Sequence, residues 1–330
     1  EMEWSGLQIA KSMEPEVLGK RVELVLVDTR SDKIEAANAV TLLVQKEKVP
    51  AIIGEAISGD TMSGNPISEA AKIPSISPTA TSALVTQGKK YAFRACFIDP
   101  FQGEVAARFA RNNLKAKTAA LIIDNAQDYA VGLGSFFKKE FEKLGGKVVS
   151  TTYIQTGDQD FSAQLSAVQA AKPDLVYAPN YYTEDALMAK QARELGIELP
   201  ILTGDGAQAD ALLKIGGKAV EGMYFTGHFH KAAVSTARGK EFIRLFEEKN
   251  KKEPGAFEAL AGEAYFLLIN AIKQAGSTDG TRIRDALAAT KNFQAITGVI
   301  SMGKDGNPIK NMVINKVQDG KFVYVTTITP

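Results

Sequence analysis

Cysteine is almost missing from this chain. Its single thiol, Cys96, has no partner for an internal disulfide, and the apolar, strand-like stretch over 91–98 reads as the setting of a buried small hydrophobe. Histidine is as scarce. His228 and His230 are the only two, too few for a zinc site with no cysteine near them in sequence. Their alternation around Phe229 would set both on one face of a strand, where a structural or hinge role is expected. Charge of one sign is also lacking: 39 Lys and Arg against 38 Asp and Glu leave a net charge of +1. No field of the kind that gathers nucleic acid or anionic membrane follows from that balance. The longest apolar runs, such as 119–123, are strand-sized and far below the roughly 20 residues of a membrane helix. Glu1 opens on acidic residues without the basic start, apolar stretch and small-residue cleavage site of a signal peptide. The chain is therefore expected to be cytosolic, already processed, or incomplete at its N-terminus.

Signatures of covalent chemistry are lacking as well. The nearest approach to a dinucleotide fingerprint, Gly132-Leu133-Gly134, has Phe137 where the third glycine belongs and lies inside a helical pattern. No phosphate-cradling loop and no Gly-x-Ser-x-Gly elbow occurs. Glu247 and Glu248 sit in a lysine-rich helical pattern that reads as a solvated face. No catalytic constellation, metal site or cofactor is expected.

What is present is length and alternation. The 330 residues, 45% of them hydrophobic, exceed what one core usually serves, so two lobes are expected. Short β-branched runs alternate with helical patterns, the mark of parallel βαβ units. Strands are predicted over 22–28, 51–54, 74–77, 118–123, 148–153, 175–178 and 201–203. Helices are predicted over 34–46, 61–72, 102–113, 130–144, 161–171 and 184–195, with Gly145 and Gly196 as helix stops. Beyond 235 come three helices, 240–249, 257–274 and 281–288, then strands 299–302, 312–317 and 322–326. Polar or aromatic groups gather at several predicted strand ends, where ligands collect in open parallel sheets: Ser58, Ser77 to Thr81, Asp124 to Tyr129, Asn180 to Tyr182, and the turn around Asp205.

Ordered segments along the chain carry a resemblance. They are Met2-Glu3-Trp4-Ser5-Gly6, Leu18-Gly19-Lys20, Ser77-Pro78-Thr79-Ala80-Thr81, Asp99-Pro100-Phe101-Gln102-Gly103, Gly157-Asp158-Gln159-Asp160-Phe161-Ser162, Tyr181-Tyr182-Thr183-Glu184, Gln191-Ala192-Arg193 and Gly204-Asp205-Gly206. In this order and spacing the chain resembles the periplasmic leucine/isoleucine/valine-binding proteins, the type I solute-binding proteins of branched-chain amino-acid ABC importers.

The resemblance implies an α/β fold of two Rossmann-like lobes with parallel sheets, joined by a hinge of three crossings. The lobes would be 1–99 with 229–307, and 100–228 with 308–330. A monomer is implied that closes on an amino acid in the periplasm or another extracytoplasmic space and presents it to the membrane permease of an ABC importer. A ligand-sensing regulator domain or an enzyme on the same scaffold is the alternative. Carried over residue by residue, the α-carboxylate falls to Ser58, the backbone of Thr79, and Thr81. The α-ammonium falls to Asp205, with Tyr181 offering its carbonyl or ring and Tyr129 closing over the ligand. Ala56 falls in the side-chain pocket and is small, which would enlarge it. Ile57 stands where many relatives have a disulfide cysteine. The resemblance also implies a first β-strand that this sequence does not contain, leaving a slot between 22–28 and 51–54. That slot would be filled by residues outside the chain, by a segment of another chain, or by rearrangement.

Overall fold

A computed structural model describes residues 1–330. By contact it divides into two compact units, Glu1–Ile98 with Ala233–Asn311 and Pro330, and Asp99–Ala232 with Met312–Thr329. The backbone passes from one unit to the other after residues 98, 232 and 311, and the terminal Pro330 falls back in the first.

The first unit is built on three parallel strands, Ile52–Ile53, Ser75–Ser77 and Ala92–Arg94, with the second in the middle. Behind them lies the Ala256–Ala275 helix, buried on nearly every turn, as a helix that is apolar all round must be. Its Leu267, Ala271 and Ile272 pack with Ile76, Phe93, Ile283 and Leu287 in one core. The Met2–Met13 helix lies so close to it that a Cβ on Gly6 would sit 2.0 Å from the carbonyl oxygen of Glu258. Only glycine allows that approach. A small antiparallel sheet of Phe293–Gln294, Val299–Met302 and Pro308–Ile309 completes the unit.

The strand expected over 22–28 does not form. Pairing at this point is confined to Glu16–Val17 with Lys20–Arg21, a hairpin turned by Leu18 and Gly19 at φ 51 and 73°, the positive-φ pair that two-residue hairpins favour. Residues 22–29 have no ladder partner, and Val25 and Leu26 are 47% and 60% exposed. The reason is physical: β-branched residues make a strand by packing and pairing with neighbours, not alone. The strand Ile52–Ile53, trimmed from the expected 51–54, pairs only with Ser75–Ser77. Between it and residues 22–27 runs an apolar groove of about 600 Å³, lined also by Trp4, Leu7, Val40, Leu43 and Leu268.

The second unit holds a seven-stranded sheet in the order Lys321–Ile328, Met312–Gln318, Tyr224–Gly227, Ile201–Thr203, Leu175–Tyr177, Thr118–Asp124, Lys147–Ile154. The last five run parallel, and Met312–Gln318 is antiparallel to both of its neighbours. Tyr224–Gly227 is a strand the sequence reading missed, being four residues that end in glycine. The helices on this sheet bury Leu165, Val168, Met188, Ala192 and Leu212 against Ile122, Val176 and Phe225. Gly145 and Gly196 stop their helices with φ of 78 and 73°, the left-handed conformation that glycine adopts without penalty.

Several helices begin earlier than expected, and two of these shifts move site candidates into a first turn. Ser58–Ala70 replaces 61–72, and Asp128–Lys143 replaces 130–144. Ser58 and Tyr129 are thereby first-turn residues of helices rather than loop residues.

Candidate functional site

In the first unit the candidates gather at the carboxyl end of the strand Ser75–Ser77. The loop that follows is held from beneath by Arg94, which is fully buried. Its guanidinium donates to the carbonyls of Ala80 and Ser82 at 2.7 and 2.9 Å and to Thr86 Oγ1 at 3.1 Å. Ser77 Oγ accepts from the Ala80 amide at 3.1 Å. So fixed, the loop gives its hydroxyls distinct positions. Thr79 Oγ1 donates toward Ala56 O and Glu3 Oε1, 3.0 and 3.1 Å away, so this hydroxyl is already engaged. Thr81 is 1% exposed, and its Oγ1 has no hydrogen-bond partner. A buried hydroxyl without a partner costs about 1 to 3 kcal/mol and marks a place where a polar group belongs.

Ser58 stands beside it. Its Oγ accepts from the Ser82 amide at 3.2 Å, which leaves its own hydrogen for another acceptor. Ser58 also opens a 13-residue helix whose N-cap, Ile57, has no side-chain cap. Uncapped amides and the positive end of the helix dipole favour an anion there. Ala56, just before the cap, presents only a methyl group. Three acids lie in or near this region and are pushed up, mainly by burial: Glu3 to about 7, Glu55 to about 8 and Asp60 to about 6. Around neutral pH they carry less negative charge than ordinary carboxylates, which weakens repulsion of an incoming anion.

In the second unit Asp205 lies in the turn after the strand Ile201–Thr203, 6% exposed. Gln102 grips it twice: Nε2 donates to Asp205 Oδ1 at 2.9 Å, and Oε1 accepts from the Asp205 amide at 3.1 Å. Thr226 Oγ1 also donates to Gln102 Oε1, at 2.7 Å, so the network itself fixes which way the amide faces. The other carboxylate oxygen, Oδ2, is 3.0 Å from His228 Nε2. Oxygens this well placed keep further lone pairs for a cation.

The glycines on either side of Asp205 make room for aromatic rings. A Cβ at Gly204 would come within 2.2 Å of Tyr129 Oη, and one at Gly206 within 2.9 Å of Tyr181 Cδ1. The Gly206 amide donates to Tyr129 Oη at 3.2 Å. The Tyr129 and Tyr181 rings stack with centroids 5.2 Å apart, giving a π surface beside the carboxylate. Burial, with Asp205 and Asp99 nearby, pushes the Tyr129 phenol up, so it stays a neutral hydroxyl. The Tyr181 carbonyl already accepts the Asp185 amide in the first turn of its helix.

The sequence candidates thus form two groups: Ala56, Ser58, Thr79 and Thr81 in the first unit, and Tyr129, Tyr181 and Asp205 in the second. Gln102 and His228 were missed as members of the second. Gln102 lies in a quoted motif whose spacing gives no hint that it reaches Asp205. His228 is 23 residues from Asp205 in sequence, and the strand Tyr224–Gly227 that delivers it was not recognised.

A model of the periplasmic binding protein family matches residues 4–321. The chain belongs to that family. This solute-binding protein is 31% identical over 296 residues to the leucine-, isoleucine-, valine-, threonine- and alanine-binding protein of Pseudomonas aeruginosa, covering 89% of this chain and 78% of that one. Among solved structures it matches the leucine-binding protein LivK of Thermotoga maritima at 47% identity and a TM-score of 0.98, over 100% of this chain and 94% of that chain. LivJ of Streptococcus pneumoniae, a branched-chain amino-acid transporter substrate-binding protein in complex with isoleucine, matches at 33% identity and 0.94, with the same coverages. A solute-binding protein of an ABC transporter from R. palustris in complex with benzoate matches at 26% and 0.89, over 100% and 91%. The fold is the type I periplasmic binding protein fold, and the resemblance read from the ordered motifs is borne out.

Proposed function

We propose that this solute-binding protein works outside the cytoplasm, takes up a branched-chain amino acid and presents it to the membrane permease of an ABC importer. It acts by binding alone, without covalent chemistry. The observation that carries the reading is the complementary character of the two residue groups. The first offers the partnerless Thr81 hydroxyl, the Ser58 hydroxyl and an uncapped helix N-terminus, all suited to a carboxylate. The second offers a buried carboxylate beside stacked phenol rings, suited to an ammonium. A zwitterionic amino acid carries both charges. The relatives named for leucine, isoleucine and valine support an aliphatic side chain on the ligand.

Native mass spectrometry of protein purified without denaturation, followed by calorimetry with leucine, isoleucine, valine and benzoate, tests the reading. Retention or micromolar binding of an aliphatic amino acid is expected. Benzoate has no ammonium, and if it bound while the amino acids did not, Asp205 would lose its role and the ligand class would be wrong.

A further inference from the structure

The Asp205 carboxylate has a second basic neighbour, already in the protein. His228 leaves the strand Tyr224–Gly227 at its end, is 3% exposed, and brings Nε2 to 3.0 Å from Asp205 Oδ2. A neutral ring must carry its hydrogen on Nε2 to donate to this oxygen, so the carboxylate fixes the tautomer. A protonated ring would do more, placing a full positive charge against Asp205. We propose that His228 is a positioning residue for Asp205 whose protonated form competes with the ligand ammonium, so that taking up an amino acid expels a proton. The inference rests on Asp205 being the ammonium anchor.

The surroundings single out this pair. Asp99, at the start of the Asp99–Asn112 helix, faces the same Gln102 amide, with Oδ1 at 3.2 Å from Nε2. Tyr129 and Tyr177 supply phenols kept neutral by burial and by Asp205 and Asp99. On the neighbouring strand Met312–Gln318, Lys316 lies opposite Tyr224, at the other end from His228, and stands over that ring. His230 points elsewhere: its Nε2 lies 3.3 Å from Phe322 O and its Nδ1 accepts from the Ala232 amide. His228 is thus the basic side chain placed on the Asp205 carboxylate. Reciprocity then requires that what protonation costs the ligand, the ligand costs the proton.

Calorimetry of L-leucine, isoleucine and valine binding between pH 5.5 and 8, in buffers of different ionisation heat, reads the linkage. Affinity is expected to fall about tenfold or more towards pH 5.5, with up to one proton released per ligand. His228→Gln keeps an amide donor that cannot titrate. It is expected to bind three- to tenfold more weakly at pH 8 and to show no further loss at pH 5.5. His230→Gln leaves His228 as the sole imidazole, so its Cε1 proton resonance is assigned without ambiguity, and added ligand should lower its titration midpoint. That measurement stands even if the His228 variant fails to fold. A flat wild-type profile without proton release, an unmoved or raised midpoint, or an unchanged slope in His228→Gln would overturn the inference. Asp205→Asn separates the two levels. Affinity lost at every pH beside a flat wild-type profile sinks the His228 proposal alone, whereas affinity retained by Asp205→Asn, or no binding of any of the three amino acids, sinks the reading beneath it.

Discussion

Thr79 and Thr81 are two residues apart, and their hydroxyls do different work. The Thr81 hydroxyl makes no bond within the protein, so Thr81→Val removes nothing the folded chain uses, and the unliganded melting temperature should hold or rise. Affinity should fall by about 1.5 to 3 kcal/mol, the range for a hydrogen bond to a charged group. Thr79→Ala should do the reverse: its hydroxyl contacts Ala56 O and Glu3 Oε1, so stability drops by about 1 kcal/mol while affinity barely moves. Equal losses of affinity in the two variants, measured by calorimetry beside thermal melts, would reverse the roles assigned here. Asp205→Ala leaves an ammonium without its counter-charge and should cost about 2 to 5 kcal/mol of binding. Affinity within threefold of wild type would remove Asp205 from the site.

Among the elements, the Met2–Met13 helix and the segment leading into the Ser58–Ala70 helix hold acids displaced well above their usual range. Glu55 rises from 4.5 to about 8 and Glu3 from 4.5 to about 7. A raised acid binds its proton more tightly folded than unfolded, so stability declines as pH climbs from the ordinary value towards the raised one and levels off beyond it. The unliganded protein should therefore be more stable near pH 5 than near pH 8. Glu55→Gln should recover roughly 1 to 3 kcal/mol at pH 8 and nothing at pH 4.5, as read by denaturant melts at both values. The sequence made most of these elements legible, because alternation with βαβ period and glycine stops such as Gly145 and Gly196 are local signals. It misplaced the start of the Ser58 helix, since an N-cap of isoleucine announces nothing. It predicted a strand over 22–28 because β-branched composition cannot tell whether a neighbour is there to pair. The Thr and Asp candidates were legible as polar strand ends, and their separate roles only through the ordered motifs. The grip of Gln102 and His228 on Asp205 depends on which strand ends lie together, a property of the folded sheet alone.

At the scale of the whole molecule, if the carboxylate falls to one residue group and the ammonium to the other, as proposed, damage to either should weaken binding. A ligand raises stability by RT ln(1 + [L]/Kd), about 2.7 kcal/mol at a hundredfold excess over Kd. Wild type should show that rise in its melting temperature with leucine. Thr81→Val in the first unit and Asp205→Ala in the second should each flatten it, although they lie in different units. A variant of one unit that kept the full thermal shift would show that its group does not take part. The apolar groove beside residues 22–27 also gives the molecule an optical reporter. The chain has one tryptophan, Trp4, and it lines that groove, while the tyrosines stacked beside Asp205 are in the other unit. Emission excited at the red edge therefore comes from a single wall of the groove. Its wavelength and its quenching by acrylamide measure how wet that wall is, and any apolar segment that came to cover it would shift the spectrum to the blue without a label.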